Sequence, residues 1–500
     1  MSISSFIFFV CWNNIDCDED DKKEYIIRDL VLKLVKKDVR SNKKVVYLAG
    51  DNWYSNKVKI ESEIKSEELA YYLLEVLKSG YDKIYDLKTE VHICAGNHDV
   101  KDDGEEPRNL KSKCMIKTQK KYIEELNNLY KILSKSQLPE SFVADTSKSS
   151  DFDISVEDLS KLALTTSSSS SRELVENFHP SLEDLMTYDG RDILPTENNI
   201  INMYVDNVGI VIKDKYVMII INTNRLDDKI YVDSVIKILN ENYETKKKFV
   251  MGHIPFYYLK NNKIKKNKEI PETLFQCMAD NNFIYLCADA HQFSIMTISV
   301  GDAKLIQITI GTGGASPDIN DETEDIKEKS INGISSFNTI DEYTINYSID
   351  ENTTINYYLV NAYGYGIVFL YDNHIKVIYK NIKSEQKDDK HYPVLTEYIC
   401  KIGTSTDTET RDDSIYKFGN IISIVKGKTK NITDYAALTK NKKTLCDKIK
   451  FAIEKIKKQN DNEHVVKSEK EDKKHVYCYI KRKKNKPDKK PDDMSKSSAK

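Results

Sequence analysis

An α/β fold built on a mainly parallel sheet is the class this sequence predicts, and three observations carry it. Short apolar runs alternate with helical patterns over the first hundred residues and again after residue 200. Several of these runs are continuously apolar, as strands buried on both faces are. They end in polar loops, often opened by a glycine, where ligands collect in open α/β sheets.

Taken in order, Phe6–Val10 within "MSISSFIFFVCW" reads as the first core strand. No basic residues precede it and its apolar core is too short for a signal peptide. No run in the chain is long enough to span a bilayer. The stretch "EYIIRDLVLKLVKK" (24–37) spaces Ile, Leu and Val as a helix does and closes on lysines. "KKVVYLAGDNWY" supplies strand Val45–Leu48, a glycine and a polar loop. "SEELAYYLLEVLKSG" predicts a helix with Gly80 as its C-terminal stop. "EVHICAGNHD" is the third strand, with Gly96 permitting a turn that a Cβ would resist. Up to this point strand and helix alternate, which predicts a mainly parallel sheet.

Residues 140–195 break the pattern. "DTSKSSDFDIS" and "TTSSSSSRE" lack the apolar density to build a core, so this segment is expected to be an insertion, in part disordered. "YVDNVGIVIKDKYVMIIINTNRL" then predicts two strands joined at Lys-Asp-Lys. Helix "VDSVIKILNENY", strand "KKFVMGHIPFYY", helix "PETLFQCMADNN", strand "FIYLCADAHQFSIMTI" and strand "AKLIQITIGTGG" follow. Residues 319–355 form a second polar insertion. "YGYGIVFLYDNHIKVIYK" is a hairpin turning at Asp372-Asn373, expected to close a second sheet. The main domain is thus expected over 1–382. A C-terminal region, 383–463, would carry an amphipathic helix near 437–459, and 464–500 would be a disordered basic tail. Residues 473–500 hold eleven Lys or Arg against three Asp.

Composition sets further bounds. Apolar residues make up 40% of 500, enough for a substantial core. The formal net charge of −3 argues neither for nor against nucleic acid. Nine cysteines, an odd number without paired spacing, suggest a reducing compartment, so an intracellular, cytoplasmic location is expected.

Five strand ends carry chemistry. They are "FFVCWNNID" with Cys11, Asn13, Asn14 and Asp16; "AGDNWY" with Asp51 and Tyr54; "AGNHD" with Asn97 and His98; "VMGHIP" with His253; and "CADAHQF" with Asp289 and His291. Carboxylate, imidazole, amide and phenol all ligate metals, and strand ends on one sheet edge converge. Any one of them alone is most often a turn residue or a structural histidine. Their joint occurrence in this order points to a metal site.

These motifs resemble the signature of calcineurin-like metallophosphoesterases, and most closely purple or tartrate-resistant acid phosphatases. "GDNWY" is similar to the Gly-Asp-Asn-aromatic-Tyr loop of that branch, "YLCADAHQF" to its Tyr-Leu-Cys-Gly-His-Asp-His loop, and "GTGGA" (311–315) to its late glycine-rich turn. The resemblance spans roughly 6–318. It implies two face-to-face mixed β-sheets flanked by helices, with two metal ions (Fe, Zn or Mn) at the strand ends. It further implies that Asp51 bridges the two ions and that Tyr54 and His291 complete the first position. Asn97, His253 and Asp289 would build the second. His98 would orient phosphate or protonate the leaving group, with Asn97 and His253 also near the substrate. A bridging carboxylate suits such a pair of cations, which together clamp phosphate oxygens and acidify water.

Two departures stand out. Cys11 occupies the place of the family's opening aspartate; its thiolate can bind zinc or iron, or Asn13, Asn14 or Asp16 could substitute. Asp289 replaces a histidine, keeping an oxygen ligand that favours harder ions such as manganese or magnesium. The leading expectation is phosphomonoester hydrolysis by a metal-activated hydroxide, acting on a phosphorylated small molecule or phosphoprotein. The alternatives are a degenerate binding module without turnover, motivated by Cys11, and a phosphodiesterase or nuclease, motivated by the tail "KRKKNKPDKK" as a nucleic-acid contact.

Overall fold

The computed structural model describes residues 4–15, 26–40, 44–54, 66–100, 110–135, 191–196, 199–243, 246–260, 263–315, 337–339, 342–349, 352–360, 363–387, 390–403, 421–432 and 438–440, with scattered positions to 447. The Ser-rich insertion up to 190 and the basic tail lie outside these residues, as does most of the helix expected over 437–459.

Two large mixed sheets, packed face to face between helices, form the architecture. The first half of the chain runs β1 (Ser4–Phe9), α1 (Ile27–Arg40), β2 (Val45–Ala49), α2 (Ser66–Tyr85), β3 (Val91–Cys94), α3 (Asn97–Val100), α4 (Leu110–Lys135) and β4 (Ile201–Tyr204). Strands β1 to β4 pair in parallel, as the alternation predicts. The second sheet begins with β5 (Gly209–Ile212) and β6 (Tyr216–Ile220). The chain continues through α5 (Lys229–Leu239), β7 (Lys247–Met251), a separate two-stranded hairpin of β8 (Tyr257–Lys260) and β9 (Lys263–Lys266), α6 (Glu272–Asp280), β10 (Ile284–Cys287), β11 (Phe293–Val300) and β12 (Ala303–Thr309). Strands β6, β7, β10 and β12 are neighbours in parallel.

Alternate residues of each buried strand serve different layers. On β1, Phe6 and Phe8 enter the core between the sheets, whereas Ile7 and Phe9 face the helices. Phe6 meets Tyr47 of its own sheet and Tyr216 and Phe249 of the other, with ring centroids 5.1–5.3 Å apart. Helices α1, α2 and α4 cover the outer face of the first sheet, and α5 and α6 that of the second. Burial on both faces explains the continuously apolar strands.

Several expectations need correction. Gly80 does not end its helix: α2 continues to Tyr85, and a Cβ at Gly80 would come within 2.4–2.7 Å of the Asn13 side chain, so the glycine is there for close packing. The span 283–298 is not one strand, because β10 and β11 are separated by the loop that carries Asp289 and His291. Likewise "YVDNVGIVI" divides between sheets, β4 in the first and β5 in the second. The polar segment 319–355 contains β13 (Phe337–Thr339), β14 (Glu342–Ser348) and the start of β15 (Thr353–Val360), which extend the second sheet.

The 363–380 hairpin, β16 (Tyr363–Leu370) and β17 (His374–Lys387), joins the first sheet through an antiparallel β1–β16 pair, not the second. Residue 382 falls inside β17, and β18 (Lys390–Gly403) and β19 (Ile421–Asn431) continue the same sheet. Alternating polar residues made these outer strands look like a change of domain. They are antiparallel additions at the sheet's edge, which need only one buried face.

Candidate metal centre

Three loops leave the first sheet and two leave the second, and all five meet. Gly50 lies in the left-handed region (φ +86°) after β2, and Asp51 follows it with φ +50°. Cys11 (φ +47°) and Asp289 (φ +58°) share that conformation. Three of the five non-glycine residues with positive φ among the described residues therefore sit at these strand ends. Such backbone persists only where its surroundings enforce it. Here the Cys11 N–H donates to the Gly50 carbonyl at 3.2 Å, and the Cys11 carbonyl accepts from Ala315 N and Thr312 Oγ1. The "GTGGA" turn thus backs the first loop.

Gly96 is required for space and not for a positive φ: a Cβ there would lie 2.2 Å from both Asp51 N and Asp51 Oδ1. That closeness lets the chain after β3 press against the chain after β2. It brings the His98 N–H to donate to Asp51 Oδ1 at 3.0 Å.

Asp51 is fully buried, and its two oxygens face different neighbours. Oδ2 accepts from the Tyr54 hydroxyl at 2.9 Å and lies 3.7 Å from Cys11 Sγ. The Tyr54 hydroxyl is in turn 3.3 Å from His291 Nε2. Oδ1 lies 3.2 Å from His253 Nε2. That same nitrogen is 2.8 Å from Asn97 Oδ1 and 3.8 Å from Asp289 Oδ1. Every residue expected at the first position (Cys11, Asp51, Tyr54, His291) and at the second (Asp51, Asn97, His253, Asp289) is in the cluster. His98 stands beside it, its ring 4.7 Å from that of Tyr54. Asp51 and His253 form a buried floor; Asn97, His98, Asp289 and His291 are half-buried and form a rim open to solvent.

The donor set fits cations. His253 Nδ1 donates to the Ala49 carbonyl at 2.7 Å, which leaves Nε2 turned toward Asp51, Asn97 and Asp289 and able to ligate. Asn97 Oδ1 and Asp51 Oδ1 are close to that nitrogen and Asp289 Oδ1 lies farther off, an oxygen-rich setting that favours a proton or a cation there. Burial pushes His253 down, but Asp51 and its hydrogen bond override this and hold the imidazole up at about 9. Burial likewise opposes ionisation of Asp51, yet His253 and the His98 N–H keep it well below the usual carboxylate range. Around Oδ2, one atom each from Cys11, Asp51 and His291 lie within 4.8 Å of one another. Burial, reinforced by Asp51, raises both the Cys11 thiol and the Tyr54 phenol.

Asn13 does not substitute in the first position. Its Oδ1 accepts from the buried Arg28 Nη1 at 2.8 Å, turned toward α1 and α2. Asp16 lies outside the described residues.

Sequence reasoning assigned no role to Asn52 or Asp99, although both stand within its motifs. Asp99 is buried and accepts from the Gly96 N–H, the Asn52 N–H, Asn52 Nδ2 and Gln119 Nε2. Asn52 also donates to the Cys94 carbonyl at 2.8 Å and accepts from Trp12 Nε1 at 3.1 Å. These two side chains lock the first three loops together. The signal for them was position alone, each being adjacent to a proposed ligand or motif residue.

No protein-family model and no curated protein matches this chain. A solved structure titled "Structure of PhoD" is similar over 82% of this chain and 72% of that one, with 8% identity and a TM-score of 0.42. A likeness of that size carries no argument, so the reading of the site rests on its own geometry. Among the described residues, no helix is long and apolar enough to cross a membrane.

Proposed function

We propose that the chain is a metal-dependent phosphoesterase that hydrolyses phosphomonoesters at a pair of cations. The observation that carries this reading is Asp51, whose two oxygens each face a separate group of ligating atoms. Cys11, Tyr54, His291 and Oδ2 would hold one cation; Asn97, His253, Asp289 and Oδ1 would hold the other. When bound, such a pair polarises phosphoryl oxygens and makes water nucleophilic at neutral pH.

The chain's own groups supply the rest. Asp51, buried and ionised, fixes the site's negative charge. The Ala49 carbonyl orients His253 so that Nε2 faces the site. Asn97 and His98 stand on the open rim, where a phosphate ester would enter. His98, its ring 4.7 Å from that of Tyr54, would donate a proton to the departing alkoxide. Substrates in this reading are phosphorylated small molecules or phosphoproteins. The basic tail that would favour a nuclease lies outside the described residues.

A second reading, a binding module without turnover, is favoured by one observation: a thiol stands where the resemblance calls for a carboxylate. The deciding experiment assays p-nitrophenyl phosphate and bis-p-nitrophenyl phosphate with added zinc, iron(II) or manganese. Cation-dependent monoester turnover supports the enzyme. Phosphate binding without turnover under any cation supports the module.

A further inference from the structure

We infer that Cys11 is a thiolate ligand and that it makes the two cation positions chemically unequal: the one beside Asp51 Oδ2 selects a thiophilic divalent cation, the other a harder one. The inference rests on the dinuclear reading above and extends it to metal selectivity.

Distances support it first. Zinc bonds nitrogen and oxygen at about 2.0 Å and sulfur at about 2.3 Å, so neighbouring ligands of a tetrahedral ion lie roughly 3.3–3.7 Å apart. Cys11 Sγ lies 3.7 Å from Asp51 Oδ2, and the Tyr54 hydroxyl lies 2.9 Å from Oδ2 and 3.3 Å from His291 Nε2. Sulfur, carboxylate oxygen and imidazole nitrogen all fall within 4.8 Å of one another. One cation can therefore reach all three with small adjustments.

The setting of the thiol supports it next. Cys287 is also fully buried, but its Sγ meets the Ile308 carbonyl and the Thr309 hydroxyl, as an inert core thiol does. Cys11 instead faces a buried carboxylate, with its backbone held at φ +47° by the Gly50 and Ala315 loops. Binding would release the thiol proton to water as the cation takes its place against sulfur.

The two donor sets then differ in kind. Cys11 supplies sulfur to one side only. The other offers three oxygens, from Asp51, Asn97 and Asp289, with a single imidazole. Thiolate favours zinc, cobalt or iron(II), whereas an oxygen-rich set accommodates manganese or magnesium.

The test is cobalt(II) titration of the metal-free full-length protein, read by absorbance and by elemental analysis. A thiolate-to-cobalt charge-transfer band should grow in the near ultraviolet, then vanish in Cys11→Asp and Cys11→Ser. In competition, Cys11→Asp should shift the zinc-over-manganese preference of one position by about tenfold or more, the scale set even by lost outer-shell partners. Thermal unfolding of both variants, together with their visible cobalt bands, checks that they remain folded and loaded. Two bound cobalt ions without a thiolate band in the wild type would overturn the inference and leave the dinuclear reading standing. No bound cobalt would overturn both. If Cys11→Asp misfolds, alkylation of Cys11 in the wild type, mapped by peptide mass, decides: protection by zinc but not by manganese supports the ligand, and equal labelling with and without zinc refutes it.

Discussion

Asp99 accepts hydrogen bonds from both the main chain and the side chain of Asn52, at 3.0–3.2 Å, within a site where neither residue is expected to touch a cation. This relationship clamps the loop after β2 to the loop after β3. It sets the register in which Asp51 Oδ1 meets the His98 N–H and His253 Nε2.

Replacing Asp99 by alanine would strand four buried N–H donors, from Asn52, Gly96 and Gln119. Each orphaned donor costs about 1–3 kcal/mol, though such losses do not add fully. The expected destabilisation is about 3 kcal/mol or more, measured by urea unfolding. Wild-type stability in Asp99→Ala would show that the clamp is incidental.

His98 should act on turnover and not on loading. His98→Gln keeps a similar volume but cannot deliver a proton as imidazole does, so kcat should fall by about 10²-fold or more with metal content unchanged. Metal analysis beside steady-state kinetics separates the two. Loss of a cation in this variant would make His98 a ligand and contradict its placement on the rim.

A pH effect is expected away from the site, at Asp82. Burial pushes this carboxyl up to about 6; Asp86 adds to the rise, against the Tyr122 hydrogen bond and the nearby Lys83 and Lys78. Between its unfolded value near 4 and about 6, the folded protein binds more protons than the unfolded chain. Asp82 should therefore lower stability as pH rises through that window and change nothing above it. Asp82→Asn should equal the wild type near pH 4 and exceed it by about 1–2 kcal/mol at pH 7. Parallel curves for the two proteins across pH 4–7 would contradict the assignment.

The parallel strands and every proposed ligand were legible because they obey local rules: continuous apolar runs bounded by polar loops. What the sequence hid were relationships between loops. Asp99 and Asn52 gave no sign of their role because most of their partners lie on other loops and on α4. Gly80 looked like a helix stop because a glycine needed for the approach of Asn13 carries no local sign of it. The outer strands β18 and β19, and the far end of β17, escaped because one-sided burial gives a polar-rich alternation, and β13 and β14 because they stand in a charge-rich segment. Asn13 looked like a spare ligand because its bond to Arg28 spans fifteen residues.

Bridging of two cations by one carboxylate, Asp51, through its two oxygens is the core of the proposed site. Its most direct test is metal stoichiometry by elemental analysis after reconstitution, wild type against Asp51→Asn, with folding checked by circular dichroism. Two cations per wild-type chain are expected, with loss of both, along with monoester hydrolysis, in a folded Asp51→Asn protein. A variant that keeps both cations and its full rate would contradict the bridging role.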